Sequence, residues 1–296
     1  TVNTACCTVN MRFTSLSINI HIIDRKSKKY SAHFMMWLNS YYVLKTKERG
    51  RKNYSLINEW VAFNIGKLLD VPIPKAHIIK IDIKDKSSYG LLFDYKLPVD
   101  YLHVCHVQNI PVWKFLSKLR NVDTFSNLLV FDIWINNKDR SSNYGNLLVT
   151  KKDDSYYYYA IDHALSFGGY YLDNESKILL KKSKICQLNF SSANHPYPFN
   201  HVYEAIKLNI EFQGCNPFDD VLNKMSKITE SQIEDIFNQV PKNTDWFEQE
   251  DIDIYIEYLM RRKNNVILYL EQLIEKMWFP NASPGCYFKL FNKIRG

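Results

Sequence analysis

Three polar residues near the middle of the sequence could together bind a metal ion and act on a phosphate. Asp139 and Asn146 lie in the segment INNKDRSSNYGNLLV, and Asp162 follows a short way beyond it. Mg²⁺ favours a few carboxylate or amide oxygens together with substrate phosphates. Phosphoryl transfer needs one carboxylate that accepts or orients the attacking hydroxyl, with further oxygens that hold the metal against the phosphates. The three residues therefore predict a phosphoryl-transfer site.

A predicted β-hairpin brings two of these residues together. The stretch NLLVTKKDDSYYYYAID is typical of two strands joined by the turn KKDDS. If the turn is centred on Asp154, Asn146 and Asp162 lie opposite each other, and residues in such positions stand roughly 5 Å apart. We therefore expect Asn146 and Asp162 to share one divalent cation at the open end of the hairpin. Asp139, on the loop that leaves a helix, is expected to reach the same end.

The same residues have a competing interpretation, because Asn and Asp are common in turns and helix caps. Taken alone, the segment NNKDR is typical of an exposed loop. The joint occurrence of Asp139, Asn146 and Asp162 at converging positions favours the metal site over that interpretation.

A lysine and a glutamate earlier in the chain could contact the phosphates of a nucleotide. Lys45 ends the predicted strand YYVLK, and Glu59 lies on the predicted helix that follows, on the apolar stripe of that helix. A carboxylate on the packed side of a helix needs a cation, so we expect a Lys45–Glu59 pair that holds the ammonium toward the α- and β-phosphates. Lys47 is the competing lysine. An exposed lysine and a glutamate at the rim are the competing interpretation.

The composition indicates a globular protein that is larger than a single usual core. Its 296 residues are 46% hydrophobic and 15% aromatic, which argues against disorder. The net charge of +7 is modest and scattered along the chain. It argues against a dedicated nucleic-acid binder, because such proteins concentrate their cations on one element. The basic stretch LMRRKNNV is the exception, and we interpret it as a solvated helix face.

The cysteines and apolar runs indicate a cytoplasmic protein without membrane contact. The six cysteines form no C-x-x-C pair and no cluster with histidine at metal-ligand spacing, so we expect reduced thiols. No apolar run approaches the roughly 18 residues of a membrane span. The first ten residues, TVNTACCTVN, have no clear period, and we expect them to lie outside the fold.

The predicted elements indicate an α+β fold with two lobes. Residues 11–97 contain five predicted strands and one helix, and the strands follow one another closely enough to begin an antiparallel sheet. A short linker, KLPVD, leads into residues 98–296, which are mostly helical apart from the metal-binding hairpin. The expected helix caps are Ser55 or Asn53 for the first helix and Asp123 for the helix before Asp139. A capping box from Ser231 to Glu234 is expected near the carboxyl terminus.

Four stretches, in their order and spacing, resemble the HipA-like kinases. They are YYVLK, NEWVAFNIGKLLDVPIP, FDIWINNKDRSSNYGNLLV and YAIDHALSFGG, and they span about residues 41–169. These kinases are a bacterial branch of the protein kinase-like fold and are also similar to the phosphoinositide kinases. The resemblance implies ATP and Mg²⁺ as cofactors and transfer of the γ-phosphoryl group to a hydroxyl of a protein serine or threonine. It also implies a possible antitoxin-like regulatory partner.

The matching motifs imply a role for each candidate residue. Asp139 is implied as the catalytic aspartate, Asn146 and Asp162 as the metal ligands, Lys45 as the phosphate-contacting lysine and Glu59 as its partner. The adenine is implied to lie against the linker FDYKL, which contains Phe93 and Tyr95.

The catalytic segment departs from the family pattern in one respect. Many kinases of this fold place the asparagine five residues after the aspartate, but position 144 is tyrosine here, with Asn143 and Asn146 on either side. We favour Asn146 because NLLV starts the strand, and Asn143 stays an alternative. His163 follows Asp162 where many protein kinases have phenylalanine, and we expect a structural role for it.

The phosphate-covering loop departs more strongly. No glycine precedes Gly50, so the loop between the first two strands of the sheet cannot be glycine-rich. Glycine allows backbone N–H groups to approach phosphates closely. Here Ser31, Ala32 and His33 must serve, with Lys28 and Lys29 supplying charge. The alternative function is a catalytically inactive pseudokinase that acts as a protein-binding module.

Overall fold

The predicted α+β class is confirmed. A computed structural model describes residues 7–13, 16–23, 32–37, 40–46, 54–83, 86–137, 139–140, 143–169, 201–212 and 216–282. Within these ranges the chain forms small antiparallel sheets and many helices. The sheets dominate the first third of the chain, and the helices dominate the rest.

The first part of the chain contains a closed antiparallel barrel. Its strands are β1 (Cys7–Phe13), β2 (Leu16–Ile23), β3 (Ala32–Trp37), β4 (Ser40–Thr46), β5 (Ala76–Ile83) and β6 (Lys86–Asp94). Around the barrel they follow the order β1-β2-β3-β4-β6-β5, and pairing of β1 with β5 closes it. Every pairing between neighbours is antiparallel.

The expectation that the first ten residues lie outside the fold is wrong for residues 7–10. They belong to β1, which pairs with β2 along its whole length, from Cys7 opposite Ile22 to Phe13 opposite Leu16. The apolar residues of this strand alternate with polar ones in the sequence CTVNMRF. The alternation runs through position 11, where the fold was expected to begin. Dividing the sequence at that position splits the strand, and neither part then shows the period of two that identifies it.

Helix α1 (Ser55–Leu68) lies between β4 and β5 in the chain and carries Glu59. It is buried on most sides, as expected of a helix with few polar positions. The indole N–H of Trp60 donates to the carbonyl of Ile236 at 3.0 Å, which ties the helix to the carboxyl-terminal part of the chain. Its N-cap is Tyr54, with no side-chain cap bond, so the expected cap at Ser55 is wrong, while Asn53 lies outside the described residues.

The second part of the chain packs helices around one buried helix and one hairpin. The elements are α2 (Tyr101–Gln108), α3 (Val112–Leu116), α4 (Phe125–Ile135), β7 (Leu147–Lys152), β8 (Ser155–Ala160), α5 (His201–Leu208), α6 (Asp219–Lys227), α7 (Glu230–Asn238) and α8 (Gln249–Glu275). Every residue of α4 is buried. This helix contacts α1, α6 and α8, so it forms the centre of the core that supports the segment beginning at Asn136.

Two of these helices were not expected from the sequence. Helix α2 begins directly after the predicted linker, and the Asp100 carboxylate caps it by accepting from the backbone N–H of His103 at 3.0 Å. Its histidines interrupt the apolar period, which weakens the helical pattern. Helix α5 was also missed. Cys105, on α2, is a free and buried thiol, as expected for a reduced cysteine.

The expected caps of two later helices are wrong by one or two residues. The N-cap of α4 is Thr124, while Asp123 lies in the preceding 3₁₀ turn Val122–Thr124. The capping box of α7 joins Thr229 and Gln232, two residues before the expected pair. The sequence TESQ satisfies the S/T-x-x-E/Q pattern as well as SQIE does, so the pattern alone does not choose between them.

Helix α8 is the longest helix in the described part of the chain. It spans 27 residues and carries several charged side chains. Among the described residues, no helix combines the length and the apolar character that a membrane crossing requires.

We expect Gly90→Ala to destabilise the barrel beside Lys45. A Cβ atom at position 90 would lie 2.8 Å from the carbonyl oxygen of Lys45 and 2.9 Å from Cδ1 of Ile81. The backbone of β4 cannot yield as a flexible side chain can, so the free energy of unfolding should fall by about 1–3 kcal/mol. Chemical denaturation measures this change. The exposed Ser88→Ala on the same strand serves as the control, and an unchanged unfolding midpoint for Gly90→Ala would contradict the close approach.

Candidate active site

The hairpin that carries the candidate residues has a register one residue away from the expected one. Lys152 pairs with Ser155, and Leu147 pairs with Ala160, so Asn146 lies opposite Ile161 and not opposite Asp162. The backbone N–H of Ile161 donates to the carbonyl of Asn146 at 3.1 Å. The expected direct pairing of Asn146 with Asp162 is therefore wrong.

The turn explains the shift in register. It contains two residues, Asp153 and Asp154, with φ angles of 46° and 58°. Two central residues with positive φ characterise the tight turn whose twist matches a two-residue hairpin, and Asp is one of the few residue types that tolerate this conformation. The turn therefore centres between the two aspartates and not on Asp154.

Asp162 reaches the site through a turn in the backbone. Its φ of 58° is left-handed, so the chain leaves the strand direction directly after β8. The carboxylate accepts from Nζ of Lys45 at 3.1 Å, and its side chain is 33% exposed. Burial raises the pKa of the Asp162 carboxyl above its ordinary value, Lys45 opposes the rise, and the Glu59 carboxylate adds to it.

Lys45 joins the barrel to helix α1 and to the segment after the hairpin. Its ammonium bonds to Oε1 of Glu59 as well as to Asp162. Burial alone lowers the pKa of Lys45, but the two carboxylates outweigh it and raise the pKa above its ordinary value. Burial likewise favours protonated Glu59, but Lys45 and then His163 hold the pKa of the Glu59 carboxyl well below its usual range. The structure thus brings Lys45, Glu59 and Asp162 together.

Asp139 and Asn146 form a second contact in the same region. The side-chain amide of Asn146 donates to Oδ2 of Asp139 at 2.6 Å. Asn146 is buried, and Asp139 is partly buried. The competing Asn143 is exposed, and its side-chain oxygen accepts from the backbone N–H of Gly145 at 3.1 Å. Asn143 therefore stabilises its own turn, whereas Asn146 contacts the aspartate.

Arg140 anchors this loop, a role that was not expected from the sequence. Its side chain and that of Asp132 are both fully buried, with Arg140 Nε donating to Asp132 Oδ2 at 2.6 Å and Nη2 donating to Oδ1 at 3.3 Å. Nη1 donates to the backbone carbonyl of Asn146 and lies 3.4 Å from that of Ile161. One guanidinium thus links helix α4 with the start of β7 and the end of β8.

The Asp132 carboxylate is saturated by further donors. The hydroxyl of Tyr203, on α5, donates to Oδ2 at 2.9 Å, and the amide of Asn137 donates to Oδ1 at 3.2 Å. A buried carboxylate is stable when it pairs with a cation through two hydrogen bonds and its remaining lone pairs accept further hydrogen bonds. Asp132 meets this condition. The signal in the sequence was a single aspartate inside the apolar run FSNLLVFDIWI, which requires a buried cation nearby.

Arg262 stabilises the end of helix α4 that leads into the loop. It is almost fully buried, its Nε donates to the carbonyl of Trp134 at 2.8 Å, and its Nη2 donates to that of Ile133. A cation is favourable at the carboxyl end of a helix, where carbonyls lack partners within the helix. The expected solvated face is therefore wrong for Arg262, although the adjacent Arg261 pairs with Glu257 at the partly exposed side of α8.

Asn58 connects helix α1 with the segment that follows Asp162. Its Nδ2 lies 2.9 Å, 3.1 Å and 3.0 Å from the carbonyls of Ala164, Ser166 and Gly169. Its Oδ1 accepts from the hydroxyl of Tyr255 at 2.5 Å. This role of Asn58 was not expected from the sequence, although a polar residue within the buried helix that also carries Glu59 is a signal for it.

The residues expected to contact a nucleotide base and to cover its phosphates are only partly described. Lys45 Nζ lies 5.7 Å from the centre of the Phe93 ring, which brings Phe93 into the charged cluster. Tyr95 is partly exposed, and its backbone N–H donates to the carbonyl of Tyr41 at 2.8 Å. His33 lies in β3, paired with Leu44. The remaining candidates in this part of the chain fall outside the described residues, namely Ser31, Lys28, Lys29 and Lys47.

The donor set at the hairpin suits a magnesium ion held jointly with phosphates. In the described ranges, no group of three or more His, Cys, Asp and Glu side chains is arranged to hold a metal by itself. Mg²⁺ needs no such group, because it keeps several waters and takes oxygens from substrate phosphates. Asp162 supplies a carboxylate and Asn146 an amide oxygen, and these are ligand types that Mg²⁺ accepts.

Comparison with protein families identifies the chain. A family model described as HipA-like kinase matches residues 21–181, more than half of the sequence. The chain belongs to the HipA-like kinase family. The matched region contains all of the candidate residues, from Ser31 to Asp162. Membership in the family shows that the chain is of the kinase type and bears out the resemblance seen in the sequence.

One solved kinase structure has a fold similar to that of this HipA-like kinase. The Helicobacter pylori proinflammatory kinase CtkA superposes with a TM-score of 0.51 at 16% identity, over 87% of this chain and 97% of that one. At this identity the similarity shows the fold alone. HipA of Shewanella oneidensis MR-1, in a complex with HipB and operator DNA, gives a TM-score of 0.46 at 10% identity, over 88% of this chain and 63% of that one. No protein with a curated description matches the sequence.

We expect Arg140→Met to destabilise the fold strongly. The substitution leaves the buried Asp132 carboxylate without its cation, and such a loss costs about 3–5 kcal/mol of the free energy of unfolding. Chemical denaturation of the variant beside the wild type measures it. Lys151→Met, which removes only the exposed pair with Asp154, is the control and should change little. If Arg140→Met lowered the free energy of unfolding as little as the control does, the role of the buried pair would be contradicted.

We expect Glu59→Gln to change how stability depends on pH. The folded-state pKa of Glu59 lies below its ordinary value of 4.5, so the unfolded chain binds more protons in the acid range. The stability that Glu59 contributes is therefore fully present above that value and is lost as the pH falls toward the folded-state pKa.

The pH experiment compares denaturation curves for the wild type, Glu59→Gln and the exposed control Glu257→Gln. Near neutral pH, Glu59→Gln should lower the free energy of unfolding by about 1–3 kcal/mol, because Lys45 loses a charged partner. The difference from the wild type should shrink as the pH falls below about 4. A difference that is constant across the whole range would show that Glu59 does not act through its charge.

Proposed function

We propose that this HipA-like kinase transfers the γ-phosphoryl group of ATP, with Mg²⁺, to the hydroxyl of a protein serine or threonine. The observation that carries the proposal is the joint contact of Lys45 with Glu59 and Asp162, although Asp162 lies 117 residues away from Lys45 in the sequence. A lysine held by a helical glutamate beside a metal-binding aspartate is the arrangement that protein kinases use on nucleotide phosphates.

Lys45 and Glu59 orient the nucleotide. The Glu59 carboxylate holds the lysine ammonium at the floor of the site, where it contacts the α- and β-phosphates. The Asp162 carboxylate and the Asn146 amide oxygen would hold Mg²⁺, which would supply positive charge that neutralises the phosphates. Because Asn146 donates its N–H to Asp139, its amide oxygen is free to turn away from Asp139 and toward the ion.

Asp139 acts on the attacking hydroxyl. In this proposal its carboxylate accepts the proton of the serine or threonine hydroxyl and directs the oxygen toward the γ-phosphorus. Asn146 fixes one carboxylate oxygen through the 2.6 Å bond, and the partial burial of Asp139 limits its rotation. The acceptor hydroxyl therefore meets a carboxylate that is already oriented.

The nucleotide base lies against the segment from Phe93 to Leu97 in this proposal. We propose a division into two lobes at this segment, with residues up to Leu97 forming the smaller lobe and residues 98–296 the larger. The strand β1 extends the smaller lobe back to Cys7. From the family resemblance we also propose that Ser31, Ala32 and His33, with Lys28 and Lys29, cover the phosphates in place of glycines. An antitoxin-like partner stays a prediction from the family resemblance.

A pseudokinase is the second candidate function. It is favoured by the absence of glycine before Gly50 in the sequence. The phosphate-covering loop therefore carries side chains at positions where kinases have glycine, whose backbone can approach phosphates closely. Such a protein would use the same scaffold to bind a partner without phosphoryl transfer. Nucleotide binding without turnover is the property that distinguishes it.

We expect purified wild type to transfer label from γ-labelled ATP in the presence of Mg²⁺, either to itself or to a protein in a cell lysate. Asp139→Asn should reduce the rate about 100-fold or more, because it removes the proton acceptor. Asp162→Ala should weaken Mg²⁺-dependent binding of ATP. Asp154→Asn, in the exposed turn of the hairpin, is the matched control and should transfer label as the wild type does.

Two results would overturn parts of this proposal. Wild type that binds Mg-ATP but neither hydrolyses it nor transfers label would establish the pseudokinase. Unchanged Mg-ATP binding by Asp162→Ala would remove Asp162 from the metal site. Mass spectrometry of the labelled protein identifies the acceptor residue.

A further inference from the structure

His163 lies between Arg140, which supports the loop of Asp139, and Glu59, which contacts Lys45. Its Nε2 is 3.0 Å from Arg140 Nη2, and its Nδ1 is 3.7 Å from Glu59 Oε2. The ring is 1% exposed and packs edge-on against Phe131, with 5.4 Å between ring centres. One imidazole thus touches both the arginine beneath the Asp139 loop and the glutamate that holds Lys45.

The contact with Arg140 fixes where the imidazole carries its proton. A guanidinium can only donate hydrogen bonds, so Nε2 of His163 must accept and carries no proton. In a neutral imidazole the single N–H then lies on Nδ1, the atom nearer to Glu59. The separation of 3.7 Å exceeds a hydrogen bond, but the positive end of this N–H dipole still faces the carboxylate. The orientation of the ring is therefore defined, with Nε2 facing the Arg140 donor and Nδ1 facing the Glu59 carboxylate.

Because His163 is next to Asp162 in the chain, the orientation of its ring affects a residue of the proposed reaction. It directly follows Asp162, whose left-handed backbone turns the chain toward Lys45. Anchoring the side chain of His163 on one side of this turn limits how far the Asp162 carboxylate can move. The adjacent backbone is held as well, because the carbonyl of Ala164 lies 2.9 Å from the amide of Asn58.

We propose that His163 is a positioning residue, which accepts a hydrogen bond from Arg140 and thereby sets the Asp162 carboxylate relative to Asp139. The inference rests on the proposed function and deepens it. His163 touches neither nucleotide nor acceptor, and it acts through Arg140 and Asp162. The role is specific to the polar edge of the ring, since packing against Phe131 requires only an aromatic ring.

The variants His163→Phe and His163→Gln separate the polar role from packing. Phenylalanine preserves the packing but leaves one Arg140 N–H without its acceptor in the interior. Glutamine loses the ring but presents an amide oxygen to Arg140. If His163 only fills space, phenylalanine is the milder change. If it positions Asp162 through Arg140, glutamine is the milder change.

The experiment measures kcat and KM for ATP in the wild type and both variants, using γ-labelled ATP with Mg²⁺ as the only substrate. Rates are expressed per folded protein, with folding checked by circular dichroism and the unfolding midpoint. We expect His163→Phe to lower kcat about 10- to 100-fold, the loss that a misplaced group brings. KM for ATP should rise as well, because Asp162 is a proposed ligand of Mg-ATP, and His163→Gln should recover much of both parameters. His103→Phe and His103→Gln, at an exposed position on α2, are the matched controls.

A second measurement does not depend on activity. Nitrogen NMR of ¹⁵N-labelled protein distinguishes a ring protonated on Nδ1 from one protonated on Nε2, and the signal that disappears in His163→Phe belongs to His163. We expect protonation on Nδ1. A proton on Nε2 would overturn the contact with Arg140 and with it the inference.

The outcomes of the two measurements separate the inference from the proposed function. Normal kcat in a folded His163→Phe, with an active wild type, overturns the positioning role and leaves the kinase intact. A kcat lower in His163→Gln than in His163→Phe assigns the residue to packing and also overturns it. A wild type that neither binds nor turns over Mg-ATP overturns the proposed function and the inference together.

Discussion

The buried ion pair between Asp132 and Arg140 is the constraint on which the candidate site depends. Removing a carboxylate and a guanidinium from water costs several kcal/mol for each ion, and only close, well-aligned contacts offset that cost. Asp132 therefore takes Arg140 in a bidentate pair, with Tyr203 and Asn137 as additional donors. Because any displacement of Arg140 exposes both ions to an apolar interior, the arginine has one acceptable position.

That single position determines where the polar ends of the hairpin lie. The same guanidinium bonds to the carbonyls of Asn146 and Ile161, one at the start of β7 and one just after β8. The side chain that precedes it in the sequence, Asp139, bonds to Asn146. From Arg140 the contacts continue through His163 and Glu59 to Lys45 and Asp162. The charges alternate along most of this path, so each group compensates the burial of its neighbours.

Much of the fold followed from local patterns, and much of the site followed from residue types. Strands with a period of two and long amphipathic helices were recognisable, as was the pair of Lys45 with Glu59. The register of that hairpin depended on two aspartates that adopt positive φ, which a single sequence does not reveal. The roles of Arg140 and Arg262 depended on carbonyls and carboxylates far away in the chain or hidden in an apolar run. Contacts such as Arg262 with Trp134 join residues 128 positions apart, and no local pattern encodes them.

Asn58 has a consequence for regulation. In many protein kinases, activity is controlled by moving the helix that carries the glutamate partner of the lysine. In this protein helix α1 is held in place, because a rotation that carries Glu59 away from Lys45 also separates Asn58 from three backbone carbonyls and leaves the Tyr255 hydroxyl without its hydrogen bond to Asn58. Each buried group left without a partner costs about 1–3 kcal/mol. The position of Glu59 is therefore coupled to the buried hydrogen bonds of its neighbour Asn58, and any rotation of helix α1 carries their cost.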